Sequence, residues 1–419
     1  MDIIDQIYLQ NPWFRDASFK PKEYELPKRE MFELFYEEIT KSKQVMSLTG
    51  LRRVGKSTMV KQVIAQLIHE KCSPRHILYF SFDQPTIIEE PKTLEKVIMH
   101  YFRDILNIPI EKAKNKIYFF FDEVQLIPFW QDIVKRFYDI NQDIKFVVTG
   151  SSSLFIQEKS KESLAGRIFE RCLSPLSFSE YKEFSKKNDF VDFLNFGQFP
   201  ELLEIEDTQK KIDYLKEGVI GKILEIDIVK TYGIRKTVDF ERLFWSLVPN
   251  TGQIIQSRKL MEDLGMKKAT LFKYLSILEK SLLINKVLNL SGSFRSEARL
   301  LRKYYPASSN FLSLMPEPIQ IGFKVETYTH SLLQKHVANI YLHNARNKEI
   351  DFILPDKKCA VEVKYKEHVH PSDYVELEKY IQEKKYKGIV VTKNKEKNLS
   401  NKNILFVPIE EFEKSITSI

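Results

Sequence analysis

Residues 45–58 read VMSLTGLRRVGKST. A short apolar run breaks at a glycine, and Gly50-Leu51-Arg52-Arg53-Val54-Gly55-Lys56-Ser57 fits the pattern G-x-x-x-x-G-K-[ST]. The pattern answers a physical need. Glycines let the backbone wrap closely around phosphate, so that successive N–H groups point at its oxygens. The helix that follows adds its positive end. In this reading residues Gly50–Thr58 bind a nucleoside triphosphate. Lys56 neutralises the β- and γ-phosphates, and the Ser57 hydroxyl ligates Mg²⁺. The flanks agree with it. Val45–Leu48 has strand character, and Met59, Val60, Val63, Leu67 and Ile68 recur at helical spacing.

Working downstream, His76–Phe82 reads as a buried strand and Lys92–Leu106 as a helix. Ile117-Tyr-Phe-Phe-Phe121 then runs into Asp122-Glu123. An apolar strand ending in two acids is common by itself; after a P-loop it supplies the missing half of a hydrolytic site. Asp122 is expected to hold Mg²⁺ through water, and Glu123 to orient or deprotonate the attacking water. Trp130–Tyr138 reads as a helix and Lys145–Gly150 as a fourth strand. Its polar end, Thr149 with Ser151–Ser153, stands where a γ-phosphate sensor is useful, although a serine cluster also serves as a turn and helix cap. Leu164-Ala-Gly-Arg167 precedes a fifth strand at Phe169–Leu173. Arg167 suits an arginine finger, in the same subunit or a neighbour, or an ordinary ion pair. Strands alternating with helices imply a parallel sheet whose ligand binds at the carboxyl ends of the strands. Residues 179–235 are expected to be a helical lid over the nucleotide.

These segments together resemble one family. They are the P-loop Gly50–Thr58, Phe-Phe-Asp122-Glu123, Thr-Gly-Ser-Ser-Ser, Ala-Gly-Arg167 with Pro-Leu-Ser-Phe178, and Phe-Gly-Gln-Phe-Pro-Glu201. The family is that of AAA-type ATPases of archaea and bacteria with a C-terminal domain of uncharacterised function. The resemblance implies an AAA+-like core, ATP and Mg²⁺ as cofactors, and a winged helix further on. The sequence departs from many AAA+ proteins in having Ser/Thr where they place a sensor asparagine.

The whole chain has 419 residues and a net charge of +8, and residues 251–305 alone hold eleven Lys/Arg against four Asp/Glu. Charge concentrated in one segment suggests a polyanion partner or a solvated basic face. Ile254–Leu264 and Lys268–Leu283 read as two helices around Gly265, the pattern of a helix-turn-helix. Lys267, Lys268 and Lys273 flank the second helix opposite its apolar face. Ile284–Leu290 and the series Arg295, Arg299, Arg302, Lys303 would supply a wing. Duplex DNA is the expected partner; winged helices also serve as protein contacts.

Beyond Pro316-Glu-Pro318, Gly322–Leu333 reads as a helix carrying Glu326. Glu349–Leu354 and Ala360–Lys364 form a hairpin whose alternation places Asp351, Glu362 and Lys364 together. Two close carboxylates and a lysine suit a divalent metal and an activated water. The arrangement Asp351…Glu362-Val-Lys364, with Glu326 upstream, resembles the PD-(D/E)xK nucleases, a scaffold that also persists as a binding platform. The triplet Glu-x-Lys alone says little, since Glu90-Pro-Lys92 and Glu383-Lys-Lys385 match it too. His330, four residues from Glu326, reads as structural.

The expected fold is α/β. It has a P-loop AAA+-like parallel sheet (1–178), a helical lid (179–235), a winged helix-turn-helix (236–315) and a PD-(D/E)xK-like α/β domain (316–419). Three scattered cysteines form neither a disulfide framework nor a zinc site. No apolar run reaches membrane-spanning length and the N-terminus lacks signal-peptide character, so a cytoplasmic protein with no membrane partner is expected. A finger acting in trans would require a homo-oligomer. Three functions compete. One is an ATPase whose cycle controls a nucleic-acid-binding C-terminal half. The second is an ATP-controlled DNA-binding switch with little turnover, and the third a metal-dependent nuclease with an accessory ATPase.

Overall fold

The structure is a computed structural model and describes residues 2–16, 18–83, 87, 91–150, 164, 166–234, 237–290, 301–345, 348–396 and 401–416. It divides into two compact units, Met1–Ser174 and Pro175–Ile419.

The first unit is built on five parallel strands: β1 (Val45–Thr49), β2 (Ile77–Ser81), β3 (Ile117–Asp122), β4 (Ile144–Gly150) and β5 (Ile168–Cys172). Their order across the sheet is β2-β3-β4-β1-β5. Every residue of β1, β3 and β4 is buried, as continuous apolar runs in a parallel sheet require. Phe80, Phe119, Phe121 and Phe146 make its aromatic centre, with Phe119 and Phe146 ring centroids 5.4 Å apart. Thr49, Asp122 and Thr149 stand at the carboxyl ends of β1, β3 and β4, and the parallel pairing brings those ends to one edge of the sheet.

The second unit is built on a seven-stranded mixed sheet. Its strands are β6 (Ile284–Asn289), β7 (Arg302–Pro306), β8 (Tyr341–Ala345), β9 (Lys348–Leu354), β10 (Cys359–Lys364), β11 (Lys387–Thr392) and β12 (Ile404–Pro408), in the order β12-β11-β10-β9-β8-β6-β7. β9 and β10 pair antiparallel, with Val361 opposite Phe352, as the hairpin reading expects. Alternation along β10 sends Cys359 and Val361 into one apolar cluster and Ala360 into the other.

Two expectations are corrected here. β6 and β7, read as the wing of a separate segment 236–315, are strands of this same sheet. Leu288 and Asn289 of β6 pair in parallel with Tyr341 and Leu342 of β8. A two-stranded wing leaves open edges, and the β8 backbone satisfies one of them. The helices Phe178–Ser185 and Phe190–Phe196, expected at the start of a lid separate from the C-terminal domain, are part of the second unit. Phe178, Tyr181, Phe190, Phe193 and Leu194 belong to the core of the second unit, together with Tyr328, Leu332 and Val361. Those aromatic residues find apolar partners on the helix Ile321–His336, where the Tyr328 hydroxyl also accepts from the Phe178 N–H at 2.9 Å.

Helices Ser257–Leu264 and Lys268–Lys280 are joined by the short turn at Gly265, whose φ of 64° is the left-handed conformation of a helix C-terminus. Among the described residues no helix is long and apolar enough to cross a membrane.

Candidate nucleotide site and acidic centre

Gly50 leaves β1 with φ of 149°, and a Cβ there would stand 2.4 Å from the Leu173 carbonyl oxygen. Only glycine lets the loop pass so close to the end of β5. Gly55, at φ 100°, opens the helix Lys56–His69, and nothing lies within 4 Å of where its Cβ would be. The loop thus runs straight into the N-terminus of that helix, the end that favours an anion. Lys56 is buried and donates to the carbonyls of Gly50 (3.0 Å) and Leu51 (2.9 Å). Ser57 and Thr58 are half-buried on the first turn, Arg52 is half-buried and Arg53 exposed.

A brace holds this loop from behind. The buried Arg29 guanidinium donates to the Val54 carbonyl at 2.6 Å and to the Ser174 carbonyl at 2.8 Å. Sequence reasoning passed over Arg29 because nothing in its neighbourhood marks it. Only the fold brings position 29 against position 54.

Asp122 ends β3, buried, and accepts from the Tyr79 hydroxyl at 2.9 Å and from the Thr149 hydroxyl. The Thr149 oxygen accepts in turn from the Glu123 N–H at 3.2 Å. Strand β4 lies between β3 and β1, so Thr149 tops the one strand that touches both the acidic strand and the P-loop strand. Glu123 sits in a left-handed backbone conformation (φ 52°, ψ 42°) and accepts from the Gln125 amide. Burial pushes its carboxyl above the ordinary range, against the opposing pull of Lys56. A base with a raised pKa is better matched to taking a proton near neutrality. Tyr79 and Gln125 are further residues that sequence reasoning missed.

Arg167 goes elsewhere. It immediately precedes β5, whose first residue Ile168 pairs with Val45, while the P-loop follows Thr49 beside Cys172. Five residues of strand, roughly 16 Å at 3.3 Å per residue, separate it from the phosphate edge, beyond a side chain's reach. Arg167 instead faces Asp139 at 3.4 Å. The finger reading within one subunit fails on strand polarity. Ser151–Ser153 lie outside the described residues.

In the second unit the structure gathers Glu326, Asp351, Glu362 and Lys364 as expected. It adds Lys303 and Glu349. Glu326 Oε1 accepts from the Tyr305 hydroxyl at 2.6 Å and from Lys303 at 3.1 Å. Asp351 Oδ2 accepts from the Val363 N–H at 2.9 Å, and Glu362 Oε2 from the Asp351 N–H at 3.3 Å. Glu362 Oε1 pairs with Lys364 at 2.6 Å. Burial, and then Asp351, pushes Glu326 up to about 7 and Glu362 up to about 8, with Lys303 and Lys364 respectively pulling the other way. Lys303 is 1% exposed. Its burial opposes the charge, but Tyr305 and the carboxylates of Glu326, Asp351 and Glu349 outweigh that and hold its pKa well above the ordinary value. By sequence Lys303 belongs to the basic series expected to supply the wing. Alternation along β7 turns it the opposite way from Arg302. His330 is fully buried, stacked on Tyr305 at 4.9 Å, and burial pushes its pKa down to about 3, as suits a structural residue.

Lys267, Lys268 and Lys273 are exposed at and along the helix Lys268–Lys280. Arg295 and Arg299 lie outside the described residues.

Comparison with known proteins agrees with this geometry for the first unit. Residues 42–182 match the AAA domain family, residues 187–307 a domain of unknown function (DUF8612), and residues 321–412 another (DUF4143). An uncharacterized protein of Haemophilus influenzae is 25% identical over 78% of this chain and 84% of its own length. One of Methanocaldococcus jannaschii is 24% identical over 77% and 75% respectively. Among solved structures, Aeropyrum pernix ORC1 in complex with DNA overlaps 74% of this chain and 97% of its own, with 14% identity and a TM-score of 0.32. The replication initiator DnaA bound to AMPPCP and single-stranded DNA overlaps 60% and 86%, with 11% identity and a TM-score of 0.32. Scores this low leave the fold to be read from the chain's own sheet. The AAA match spans β1 to β5 with the P-loop at its head, so the stretch that carries the candidate nucleotide site is similar to AAA domains.

Proposed function

We propose that the protein binds ATP with Mg²⁺ and hydrolyses it, and that its nucleotide state governs binding of duplex DNA by the C-terminal unit. One observation carries the reading. The glycine loop, Lys56, Ser57, Asp122, Glu123 and Thr149 all lie at the carboxyl edge of a single parallel sheet, with β4 spanning the gap between loop and acids.

The residues present fit a metal-bound triphosphate. The loop leads into a helix N-terminus, Ser57 stands on the first helical turn, and Asp122 offers a carboxylate oriented by Tyr79 and Thr149. When bound with ATP, Mg²⁺ would offset the charge of the β- and γ-phosphates. Ser57 would hold it directly and Asp122 through water. Lys56 would exchange the Gly50 and Leu51 carbonyls for phosphate oxygens. Glu123 would take the proton of the attacking water. Thr149, already bonded to Asp122 and to the Glu123 N–H, would keep the two acids in register with the γ-phosphate.

The nucleic-acid half of the reading rests on the exposed Lys267, Lys268 and Lys273 within a segment of local charge excess seven, eleven basic against four acidic residues. The deciding experiment measures ATP turnover with Mg²⁺, with and without a mixed DNA panel. Lys56→Ala should lose nucleotide binding. Glu123→Gln should retain binding and turn over about 10²–10⁴-fold more slowly. DNA should stimulate the intact protein. Slow turnover indifferent to DNA would instead support a switch in which ATP acts by binding.

A further inference from the structure

The resemblance to metal-dependent nucleases predicts a divalent cation among Glu326, Asp351 and Glu362. The side chains present do not fit one. Lys303 Nζ stands 2.6 Å from Glu349 Oε1, 3.1 Å from Glu326 Oε1 and 3.5 Å from Asp351 Oδ1. A Mg²⁺ or Ca²⁺ ion would need oxygens at about 2.0–2.6 Å in the same space. Three more oxygens of the cluster are engaged as well. Asp351 Oδ2 accepts from Val363, Glu362 Oε2 from Asp351, and Glu362 Oε1 is paired with Lys364. Among the described residues no group of three or more His, Cys, Asp or Glu side chains is arranged to hold a metal ion.

We propose that Lys303 is the resident cation of this acidic centre and that it excludes a divalent metal, so that the C-terminal unit is not a metal-dependent nuclease. A lysine on a flexible surface loop would swing aside for a metal. Lys303 is fixed at both ends. Its strand is paired to β6, its side chain is 1% exposed, and its neighbour Arg302 is pinned on the other face. There the Arg302 guanidinium lies 4.7 Å from the centre of the Phe272 ring on the helix Lys268–Lys280, and its carbonyl accepts from the Ile255 N–H at 2.8 Å. Displacing Lys303 would strand a buried ammonium away from its carboxylates, an arrangement proteins avoid. Lys303 thus ties three elements together: β7, the helix Ile321–His336 through Glu326, and β9 through Glu349 and Asp351.

The inference is independent of the ATPase reading, and its test uses no nucleotide. Mn²⁺ binding to the full-length chain is followed by electron paramagnetic resonance in a Ser57→Ala background, which silences the P-loop ligand. The expected result is identical Mn²⁺ titrations for Ser57→Ala and Ser57→Ala/Asp351→Asn. Lys303→Met, which keeps the length of the stem and removes the charge, should acquire a Mn²⁺ site at least tenfold tighter, lost again with Asp351→Asn. Mn²⁺ bound by the chain with Lys303 intact and released by Asp351→Asn would overturn the proposal. So would Mg²⁺- or Mn²⁺-dependent cutting of DNA or RNA abolished by Asp351→Asn, or a folded Lys303→Met that acquires no Mn²⁺. If Lys303→Met does not fold, the comparison at Asp351 decides.

Discussion

At the scale of single residues, the nucleotide site depends on groups far from its motif. Arg29 joins the Val54 and Ser174 carbonyls, so it fixes the P-loop to the end of the sheet. Hydrogen bonds from a charged group contribute about 1.5–3 kcal/mol each. Arg29→Met should therefore weaken nucleotide affinity by about tenfold or more, measured by titration of a fluorescent ATP analogue. Unchanged affinity would show the loop to be ordered without the brace. The acidic centre makes a pH prediction. Glu362 has an ordinary value of 4.5 and is pushed up to about 8, so between these values the folded form holds more protons than the unfolded one. Its contribution to stability is complete below 4.5 and is lost as pH rises through about 8. His330, pushed down from 6.5 to about 3, acts in the opposite sense but only below its ordinary value. Glu326, pushed up to about 7, acts in the same sense as Glu362 but over a lower range, so the window from pH 7 to 8 belongs mainly to Glu362. There the denaturation midpoint of the C-terminal unit should fall with rising pH, by up to about 1.4 kcal/mol per pH unit for each such group. Glu362→Gln should flatten that slope, and equal slopes in the two proteins would refute the assignment.

At the scale of elements, the motif Phe-Gly-Gln-Phe-Pro that interrupts residues 179–235 has a structural task. Gln198 is buried, and its side-chain oxygen accepts from the Ser308 hydroxyl (2.5 Å), the Ser309 N–H (2.9 Å) and the Ser309 hydroxyl (3.2 Å). Its own N–H donates to Asn310, which donates onward to the Phe193 and Leu194 carbonyls. The motif thus locks the helix Phe190–Phe196 to the turn after β7. Gln198→Ala leaves these donors buried without an acceptor. It should destabilise the C-terminal unit by about 1–3 kcal/mol in urea denaturation, with ATP binding to the N-terminal unit unchanged. For the helix Lys268–Lys280, reversing Lys268 and Lys273 to Glu should weaken binding to duplex DNA. The salt dependence of log K should become shallower by about 2 units of slope if both lysines meet phosphate. No loss of affinity would leave them as a solvated basic face. The elements themselves were legible where one period dominates. Ile117–Asp122 and Lys268–Lys280 stand within a residue or a few of their sequence readings. The wing was misread because a strand pair carries no local mark of which third strand it will join.

At the scale of the whole molecule, DNA is expected to raise the ATP turnover of the intact protein, and this stimulation should vanish in the Lys268→Glu/Lys273→Glu variant while basal turnover stays the same. Stimulation that survives the double reversal would move the nucleic-acid contact to another surface. The sequence by itself determined the nucleotide chemistry, because a phosphate cradle is built from consecutive residues and its acidic partner from the end of one strand. It also determined the alternation that unites Asp351, Glu362 and Lys364, since a hairpin pairs neighbours in the chain. Only the tertiary structure decided what depends on strand polarity and long-range packing. The direction of β5 removed Arg167 from the phosphate edge. The joining of β6 to β8 merged the expected wing with the C-terminal sheet, and the phase of β7 turned Lys303 inward among Glu326, Glu349 and Asp351. A lysine in a basic segment reads as a ligand for polyanions; buried among three carboxylates it is a counter-ion, and no pattern local to residue 303 distinguishes the two.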